Sequence, residues 1–314
     1  MLFFMLGLIE GGFYDYLHAG ESKLTAEQQL PNITFLYQFG REGKGDGEFG
    51  GPHGIHASRD GFIYVSDDLN HRISVFDRKG RFIRAIGRFG RALGELAYVD
   101  SVITDEHGHL YIADTGNDRI QVLSRDGEVL NGVKRWHFYL KGFKNPRDLS
   151  FAPDGRLMVV DWDNHCVRVF GSDLNFIRTF GRKGSGNGEF NNPINLTHNR
   201  VGELYVSDFK NHRVQVFNSQ GVFIYSIGSQ GEGSGQFLHP VGLAFDSQER
   251  LFVADRNNHR LQVFAAKGDF IFQFGKQGKG PGQFEKPADL DIDENDRIYV
   301  VDKGNHRVQI FQIE

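Results

Sequence analysis

Histidines recur at a regular spacing, and an array of imidazoles is the first feature that could bind a metal. Five of them directly follow an asparagine, at His71, His165, His212, His259 and His306. Because neighbouring members lie 47 residues apart, or twice that, we expect them on different structural units. A zinc site needs three or four converging ligands. We therefore interpret these histidines as structural, and we predict no metal site and no cofactor.

A second candidate is a stretch rich in cations and aromatic rings that contains no acid between Glu128 and Asp148. Cations track phosphates and rings stack on bases in single-stranded RNA binding. Trp, Tyr and Arg are also the residues that dominate protein interfaces. The alternative is that the rings pack on neighbouring elements while the cations are solvated. The stretch includes Lys134, Arg135, Trp136, His137, Phe138, Tyr139, Lys141, Lys144 and Arg147.

An internal repeat must position these residues. An aspartate ending a "YVxD"-like run recurs every 47 residues, at Asp67, Asp114, Asp161, Asp208, Asp255 and Asp302. Within the fourth unit, short runs rich in Val, Ile, Phe and Tyr predict strands at Ile194–Thr197, Glu203–Ser207, Arg213–Phe217 and Val222–Ile227. Four short strands in each repeat of this length are typical of a propeller blade. The fold class predicted is all-β: a closed six-bladed β-propeller of four-stranded blades.

The two ends of the sequence predict how the ring closes. The chain stops after the third strand of the sixth repeat, and the matching fourth strand stands before the first repeat, at Phe35–Phe39. We expect this N-terminal strand to complete the last blade by pairing with Arg307–Phe311. The domains predicted are an extension at 1–34 and a propeller at 35–314. Its repeats lie near 52–98, 99–145, 146–192, 193–239, 240–286 and 287–314 plus 35–51.

Segments such as Asn211-His212-Arg213-Val214, with the glycine-rich linkers before each repeat, resemble the NHL repeat over residues 35–314. The resemblance implies a propeller similar to the NHL domains of tripartite-motif proteins, which bind RNA or partner proteins. Other relatives are amidating lyases, whose zinc is held by histidines in the channel, some just after the turn proline. Here those positions hold a single histidine: His53, Asp100, Arg147, Ile194, Val241 and Ala288. We therefore predict a non-catalytic chain. The next positions include Asp148, Asn195 and Asp289, which could hold a cation or channel water.

Function is expected where one repeat departs from the others, and the third blade departs most. Cys166 takes the place of a repeated arginine there, and the residue after the repeated aspartate is Trp162. The equivalent residues in blades four to six are Phe209, Arg256 and Lys303. The loops that carry them open on one face of a propeller. The predicted partner-binding residues are Lys134, Arg135, Trp136, His137, Tyr139, Lys141, Lys144, Arg147, Trp162, Phe209, Arg256 and Lys303.

The function predicted is a binding scaffold whose upper face, centred on blade three, takes a protein or peptide partner. Single-stranded RNA binding is one alternative, and a metal-dependent lyase or lactonase in the channel is another. The formal net charge of −4 argues against general coating of nucleic acid. Met1–Ile9 is apolar but shorter than a membrane span of about 20 residues. We expect no transmembrane segment, a monomer and a cytoplasmic location, with a secretory signal peptide as the alternative interpretation of this run.

Overall fold

The computed structural model of the chain describes residues 31–130 and 142–314. Asn32–Glu314 forms one compact unit of short strands and tight turns. Six antiparallel sheets follow one another along it, five with four strands and one with three strands in the described part. The predicted all-β propeller of six blades is confirmed. No helix among the described residues has the length and apolar character needed to cross a membrane.

The strands are numbered in chain order, and β1 is Ile33–Phe39. Blade one contains β2 (Pro52–Ala57), β3 (Phe62–Asp67), β4 (Arg72–Asp77) and β5 (Phe82–Ile86). Blade two contains β6 (Ser101–Thr104), β7 (Leu110–Asp114) and β8 (Arg119–Leu123). Blade three contains β9 (Pro146–Phe151), β10 (Leu157–Asp161), β11 (Cys166–Phe170) and β12 (Phe176–Phe180).

Blade four contains β13 (Pro193–His198), β14 (Leu204–Asp208), β15 (Arg213–Phe217) and β16 (Phe223–Ile227). Blade five contains β17 (Pro240–Phe245), β18 (Leu251–Asp255), β19 (Arg260–Phe264) and β20 (Phe270–Phe274). A two-residue ladder, β21 (Lys276–Gln277) with β22 (Gln283–Phe284), precedes blade six. Blade six contains β23 (Asp289–Ile292), β24 (Arg297–Asp302) and β25 (Arg307–Ile313). One-turn 3-10 helices lie at Thr115–Asn117, Trp162–Asn164, Phe209–Asn211, Arg256–Asn258 and Lys303–Asn305.

The core of the propeller lies between consecutive blades. The second strand of a blade, such as β14, is buried along its whole length, because neighbouring blades cover both of its faces. Tyr205 and Val214 of blade four, for example, pack against Leu243 and Val253 of blade five. The fourth strand, such as β16, alternates between partly buried and exposed residues over most of its length because it forms the rim.

The ring is closed by pairing the first strand with the last. β1 runs antiparallel to β25, with Ile33 opposite Ile313 and Phe39 opposite Val308. The rings of Phe35 and Phe311 meet edge to face, 5.8 Å apart. The predicted closure is confirmed, and β1 begins two residues earlier than the sequence indicated. Blade six therefore has four strands, one of them contributed by the N-terminal part of the propeller.

Blade two has three described strands, because the described range ends at residue 130, before a fourth strand. After β8, Leu123 makes a single antiparallel bridge with Val129. By the repeat spacing, the fourth strand should continue into residues 131–133. Residues 131–141 lie outside the described part, so the four-stranded form of this blade stays a prediction.

A buried aspartate organises the turn between the second and third strands of every blade. In five blades, the arginine five residues later forms an ion pair with it at 2.6 to 3.5 Å. The asparagine three residues later also donates to this aspartate, as Asn211 does to Asp208 at 2.8 Å. The same Asn211 amide donates to the Gly184 carbonyl in the loop that joins blades three and four. These contacts fix each turn to an inter-blade loop, and they explain why both residues recur.

In blade three a different residue pairs with the buried aspartate. Cys166 stands where the other blades have the arginine, and its thiol is buried. The guanidinium comes instead from Arg168, whose Nε donates to Asp161 at 2.6 Å. In blade four this position holds Gln215, which donates to Asp208 at 3.0 Å. The odd cysteine is therefore matched by a compensating arginine two residues further along the same strand.

Candidate functional site

The turns that follow the buried aspartates and the inter-blade loops contact each other on one side of the propeller, which we call the upper face. The first residue of each turn contributes to the mouth of the central channel. We call these six residues the mouth ring: Asp68, Thr115, Trp162, Phe209, Arg256 and Lys303. The residues after the turn prolines form a second ring of His53, Asp100, Arg147, Ile194, Val241 and Ala288.

One half of the mouth is aromatic. The Trp162 and Phe209 rings lie 5.3 Å apart, and both side chains are half-buried. Phe209 stacks on the His239 imidazole with 4.5 Å between ring centres. The Arg147 guanidinium lies over the Trp162 ring, 4.8 Å from its centre. Such cation–π contacts hold the indole in one orientation. We call Trp162, Phe209 and His239 the aromatic ledge, and it remains partly open to solvent.

The other half of the mouth is charged. Lys303 Nζ lies 2.9 Å from an Asp68 carboxylate oxygen, and Arg147 forms an ion pair with Asp100. Burial raises the pKa of Asp100 to about 6, although Arg147 acts against this shift. His53 is buried beside Asp100, and burial holds the pKa of its imidazole well below the usual value. Two of the three cations at the mouth thus have a carboxylate partner.

Arg256 is the third cation. Within the described residues its guanidinium makes no hydrogen bond and no ion pair. Burial lowers its pKa from the ordinary arginine value and the positive charge of Arg147 lowers it further, whereas the carboxylates of Asp68 and Asp100 act against this shift. A partly desolvated cation that has no direct ion pair favours the approach of an anionic group. The mouth can therefore accept a negative charge next to its aromatic ledge.

Below the second ring, polar side chains tie one blade to the next. Asp148 accepts the Leu196 N–H at 3.0 Å, and Asn195 accepts the Leu243 N–H at 3.0 Å. Asp289 accepts the Ile55 N–H at 3.0 Å in the same way. The second oxygen of Asp148 accepts from the Ser101 hydroxyl at 2.6 Å, and that of Asp289 accepts from Asn195 at 3.2 Å. Asp148, Asn195 and Asp289 thus serve as inter-blade contacts, where the sequence suggested a cation or water site.

These channel carboxylates are also poor candidates for an open reaction centre. Burial raises the pKa of Asp148 to about 6. Burial and the charge of Asp148 raise the pKa of Asp289 well above its usual value. The cavity that they line has a volume of about 10 Å³. That volume is at the lower limit for a single water molecule, so a substrate has no room between them.

The five histidines of the repeat also connect blades. Each has a left-handed backbone, with φ between 52° and 55°, and a half-buried ring. In four of them Nδ1 accepts a backbone N–H from the start of the next blade, as His212 accepts that of His239 at 3.1 Å. His306 Nδ1 lies 3.2 Å from the Phe49 carbonyl across the closure. No group of three His, Cys, Asp or Glu residues in the described ranges is placed to share a metal.

Part of the predicted partner site falls outside the described residues: Lys134, Arg135, Trp136, His137, Tyr139 and Lys141. The structure brings Arg147, Trp162, Phe209, Arg256 and Lys303 together at the channel mouth. Lys144 is exposed, and its backbone N–H donates to Asp161 at 2.8 Å. The described part of the site is therefore a ring around the channel, contributed by several blades.

Sequence reasoning missed two features of this face. His239 completes the aromatic ledge, and a cluster of exposed apolar residues lies on blades one and two, at Leu69, Phe89, Leu93 and Tyr98. The signal for the cluster was present in the sequence. Leu69 and Tyr98 stand where every other repeat has glycine or a polar residue, whereas Phe89 and Leu93 have apolar counterparts in the third repeat, Trp136 and Leu140.

Two family descriptions match the chain. A family described as a 6-bladed beta-propeller matches residues 42–134, 193–249 and 241–314, and the NHL repeat matches residues 143–170. Among curated proteins, the B-box type zinc finger protein ncl-1 of Caenorhabditis elegans is 37% identical over 78 residues. The RING finger protein nhl-1 of the same organism is 48% identical over 46 residues. These matches cover 24% and 15% of this chain, and 9% and 5% of those proteins.

Several solved structures share the fold at low sequence identity. An auxiliary nutrient binding protein from Bacteroides thetaiotaomicron has a TM-score of 0.66 at 16% identity, covering 90% of this chain and 77% of that one. A gluconolactonase from Xanthomonas campestris has a TM-score of 0.65 at 15% identity, with 90% of both chains covered. Virginiamycin B lyase from Staphylococcus aureus has a TM-score of 0.58 at 10% identity, covering 90% and 100%. Because the first family spans more than half of the sequence, the chain belongs to the six-bladed β-propeller family, and one of its repeats, at residues 143–170, matches the NHL repeat.

Proposed function

We propose that this propeller is a non-catalytic scaffold whose channel mouth binds a segment of a partner protein. The observation that carries the proposal is Arg256, a partly buried cation that forms no ion pair with the described residues, at the same channel mouth as the half-buried rings of Trp162 and Phe209. Arginine and large aromatic residues account for most of the binding energy at protein interfaces. The resemblance to NHL domains supports the same class of function.

The shape of the channel favours a ligand that lies across the mouth. The cavity that the second ring lines together with Asp148, Asn195 and Asp289 has a volume of about 10 Å³. A small substrate would therefore stop at the mouth, where the pairs Arg147–Asp100 and Lys303–Asp68 neutralise each other. A peptide can instead rest on the Trp162–Phe209 ledge and present one acidic side chain to Arg256. We assign the partner to this class on those grounds.

The lyase or lactonase alternative would need polar groups free to meet a substrate. The channel oxygens that could act on one, those of Asp148 and Asp289, accept backbone N–H groups of the next blade. Removing them from these contacts to reach a substrate would leave buried N–H groups without partners. The relatives that carry such activities share the fold alone, at 15% identity or less.

The test uses two substitutions at the mouth and one control. Trp162→Thr introduces the residue that blade two has at this position, Thr115, and Arg256→Gln removes the charge. Phe176→Thr, on the outer strand of blade three, is the matched control because Phe176 is exposed but far from the mouth in its blade. A partner recovered with the full chain is titrated against each variant by calorimetry. We expect about 30-fold weaker binding for Trp162→Thr and Arg256→Gln, as for interface hot spots.

The control should bind like the parent. Equal affinities for all three variants would mean that the mouth does not bind the partner. If the recovered ligand is RNA, its affinity should fall steeply as the salt concentration rises. Each phosphate contact should add about −0.7 to the slope of the logarithm of affinity against the logarithm of salt concentration. That result would replace the protein partner by a nucleic acid at the same residues.

A further inference from the structure

Four exposed apolar side chains stand on the upper face at blades one and two, away from the aromatic ledge. Their exposed fractions are 57% for Leu69, 68% for Phe89, 44% for Leu93 and 52% for Tyr98. The chain also exposes apolar residues on its outer strands, such as Ile83, Ile177 and Ile224. Those outer residues recur at matching positions of successive repeats, so they belong to the construction of a blade. Leu69 and Tyr98 do not recur in this way, whereas Phe89 and Leu93 have apolar counterparts in one other repeat, Trp136 and Leu140.

The residues at the matching positions of the other described loops and turns show which residue types these positions accept. Phe89 corresponds to Glu42, Lys183, Gln230 and Gln277, and Leu93 corresponds to Asp46, Asn187, Ser234 and Pro281. Tyr98 corresponds to Gly51, Asn145, Asn192, His239 and Lys286, and Leu69 to Gly116, Asp163, Lys210, Asn257 and Gly304. The propeller therefore folds around glycine, proline or polar residues at these places. An apolar side chain there adds exposed surface that folding does not require.

Two of these side chains are joined by a histidine of the repeat. The His71 ring lies 4.6 Å from the Phe89 ring and 4.9 Å from the Tyr98 ring. The Tyr98 N–H donates to His71 Nδ1 at 3.1 Å, which fixes the tyrosine beside it. Leu69 precedes His71 by two residues in the same turn, and Leu93 follows Phe89 in the same loop. We call Leu69, His71, Phe89, Leu93 and Tyr98 the blade-two patch.

Tyr98 is unfavourable for the isolated propeller in a second way. Its φ of 50° is in the left-handed region, where asparagine and glycine are better tolerated than an aromatic residue. Two other blades have asparagine in this conformation, and His239 and Lys286 adopt it in blades five and six. The tyrosine thus adds backbone strain as well as exposed ring area. Both features are expected of a residue that gains its stabilisation from a partner.

The unpaired charge in the loop that carries Phe89 and Leu93 is positive. Arg91 is exposed, and its guanidinium has no hydrogen bond or ion pair within the described residues. Arg88 is also exposed and pairs with Glu95 at 3.1 Å. That glutamate additionally accepts the Ala92 N–H, so it is occupied inside its own loop. Around the patch, Arg91 is the charge left free to meet a partner, and it favours an acidic one.

We infer that the blade-two patch docks a short protein segment that presents an aromatic or long aliphatic side chain beside acidic residues. The apolar anchor would cover Phe89 and Tyr98, and a carboxylate would meet Arg91. The inference goes beyond the proposed function because it concerns other residues and does not depend on the channel mouth. The observations that carry it are the contiguous exposed rings around His71, the glycine or polar residues that match Leu69 and Tyr98 in the other repeats, and the unpaired cation.

The experiment converts the patch to the residues of the other repeats. The triple variant Phe89→Gln, Leu93→Ser and Tyr98→Asn uses residue types that already occur at these positions. It should melt at or above the temperature of the parent, because Asn relieves the strain at position 98. The probe is a displayed library of random peptides, selected on the full parent chain. The sequences enriched should contain an aromatic or aliphatic anchor next to Asp or Glu.

A synthetic peptide with the enriched sequence is then titrated against each protein. We expect about 30-fold weaker binding to the triple variant and unchanged binding to Trp162→Thr and to the outer-strand control Ile177→Thr. Arg91→Gln should weaken binding several-fold and reduce its dependence on salt. Loss of binding in Trp162→Thr but not in the triple variant would place the peptide at the channel mouth and overturn the inference.

Three other outcomes would also overturn it. The library could yield no enriched sequence, or enriched peptides could be basic, which would contradict the charge argument. Competition of the selected peptide by single-stranded RNA would assign the patch to a nucleic acid. Binding that is seen only after residues 1–30 are removed would mean that the apolar N-terminal sequence of this chain occupies the patch.

Discussion

Asp161 shows how one residue change is balanced by another within a strand. The carboxylate is fully buried, and in blade three it is paired with Arg168 because Cys166 occupies the usual arginine position. A buried charge that loses its partner is strongly destabilising, whereas the identity of the partner matters less. Cys166 and Arg168 are therefore a coupled pair, and neither can be interpreted without the other.

The Arg168→Gln variant should lower the free energy of unfolding by about 3 kcal/mol, because Asp161 then keeps its charge without a guanidinium. Adding Cys166→Arg recreates the arrangement of the other blades and should recover most of that loss. Urea denaturation of the parent, the single and the double variant measures both effects. If the double variant is no more stable than the single one, the two positions do not compensate for each other.

The buried carboxyl group of Asp148 predicts that the stability of the folded protein depends on pH. Burial raises the pKa of Asp148 to about 6, whereas an unfolded aspartate titrates near 3.9. Between these values the folded protein holds a proton that the unfolded chain has released, so this residue favours folding at acidic pH. Its contribution is lost as the pH rises through about 6.

Asp148→Asn removes this titration and keeps an amide oxygen that can accept the Leu196 N–H, as Asn195 does in blade four. The variant should therefore gain stability relative to the parent at about pH 7.5 compared with about pH 4.5, by about 1–3 kcal/mol. The difference between the two proteins at each pH cancels the contribution of the buried histidines and includes the change at Asp289, whose pKa the charge of Asp148 raises. A difference that does not change with pH would show that Asp148 titrates normally.

The closing seam between β1 and β25 is the element that depends most on distant parts of the chain. Residues 33–39 and 307–313 are paired along their length, and aromatic rings from β1 pack into blade six and blade one. Phe39, for example, lies 4.5 Å from Phe76, measured between ring centres. Without β1, β25 would become an exposed edge, and this packing would be lost.

Removal of residues 1–41 should lower the melting temperature sharply, because it deletes β1. Removal of residues 1–30 should change it little, because the seam is retained. Thermal unfolding of the two truncated chains, followed by circular dichroism, tests this directly. Similar melting temperatures would mean that the seam does not stabilise the ring.

At the scale of the whole molecule, the spacing of the repeats determines most of the fold. The 47-residue spacing predicts the blade count, and the displaced strand at Phe35–Phe39 predicts the closure, because every unit must bury the same surfaces. Contacts made between unlike blades could not be predicted in this way. The stacking of His239 on Phe209 and the pairing of Arg168 with Asp161 depend on the directions of side chains, which the repeat spacing does not specify. In the blade-two patch, the residue types could be compared between repeats in the sequence, but the contacts of Phe89 and Tyr98 with His71 could not be predicted from it.

The single post-proline histidine predicts a simple property of the purified chain. His53 is buried, its neighbour in the second ring is Asp100, and a zinc site needs at least three ligands. Elemental analysis of the full chain should therefore find far less than one zinc per molecule. One zinc per chain that is lost in His53→Ala would contradict the binding-scaffold proposal and favour an enzyme.

The seam also determines how the ring responds to mechanical tension. Asn32 and Glu314 are hydrogen-bonded to each other, so both ends of the propeller leave from the same point of the rim. A force that separates these ends acts first on the pair Ile33–Ile313 and then on each following pair in turn. Hydrogen bonds opened one at a time resist far less than bonds loaded together. Traction on the two ends should therefore peel the ring open while the other five blades stay folded.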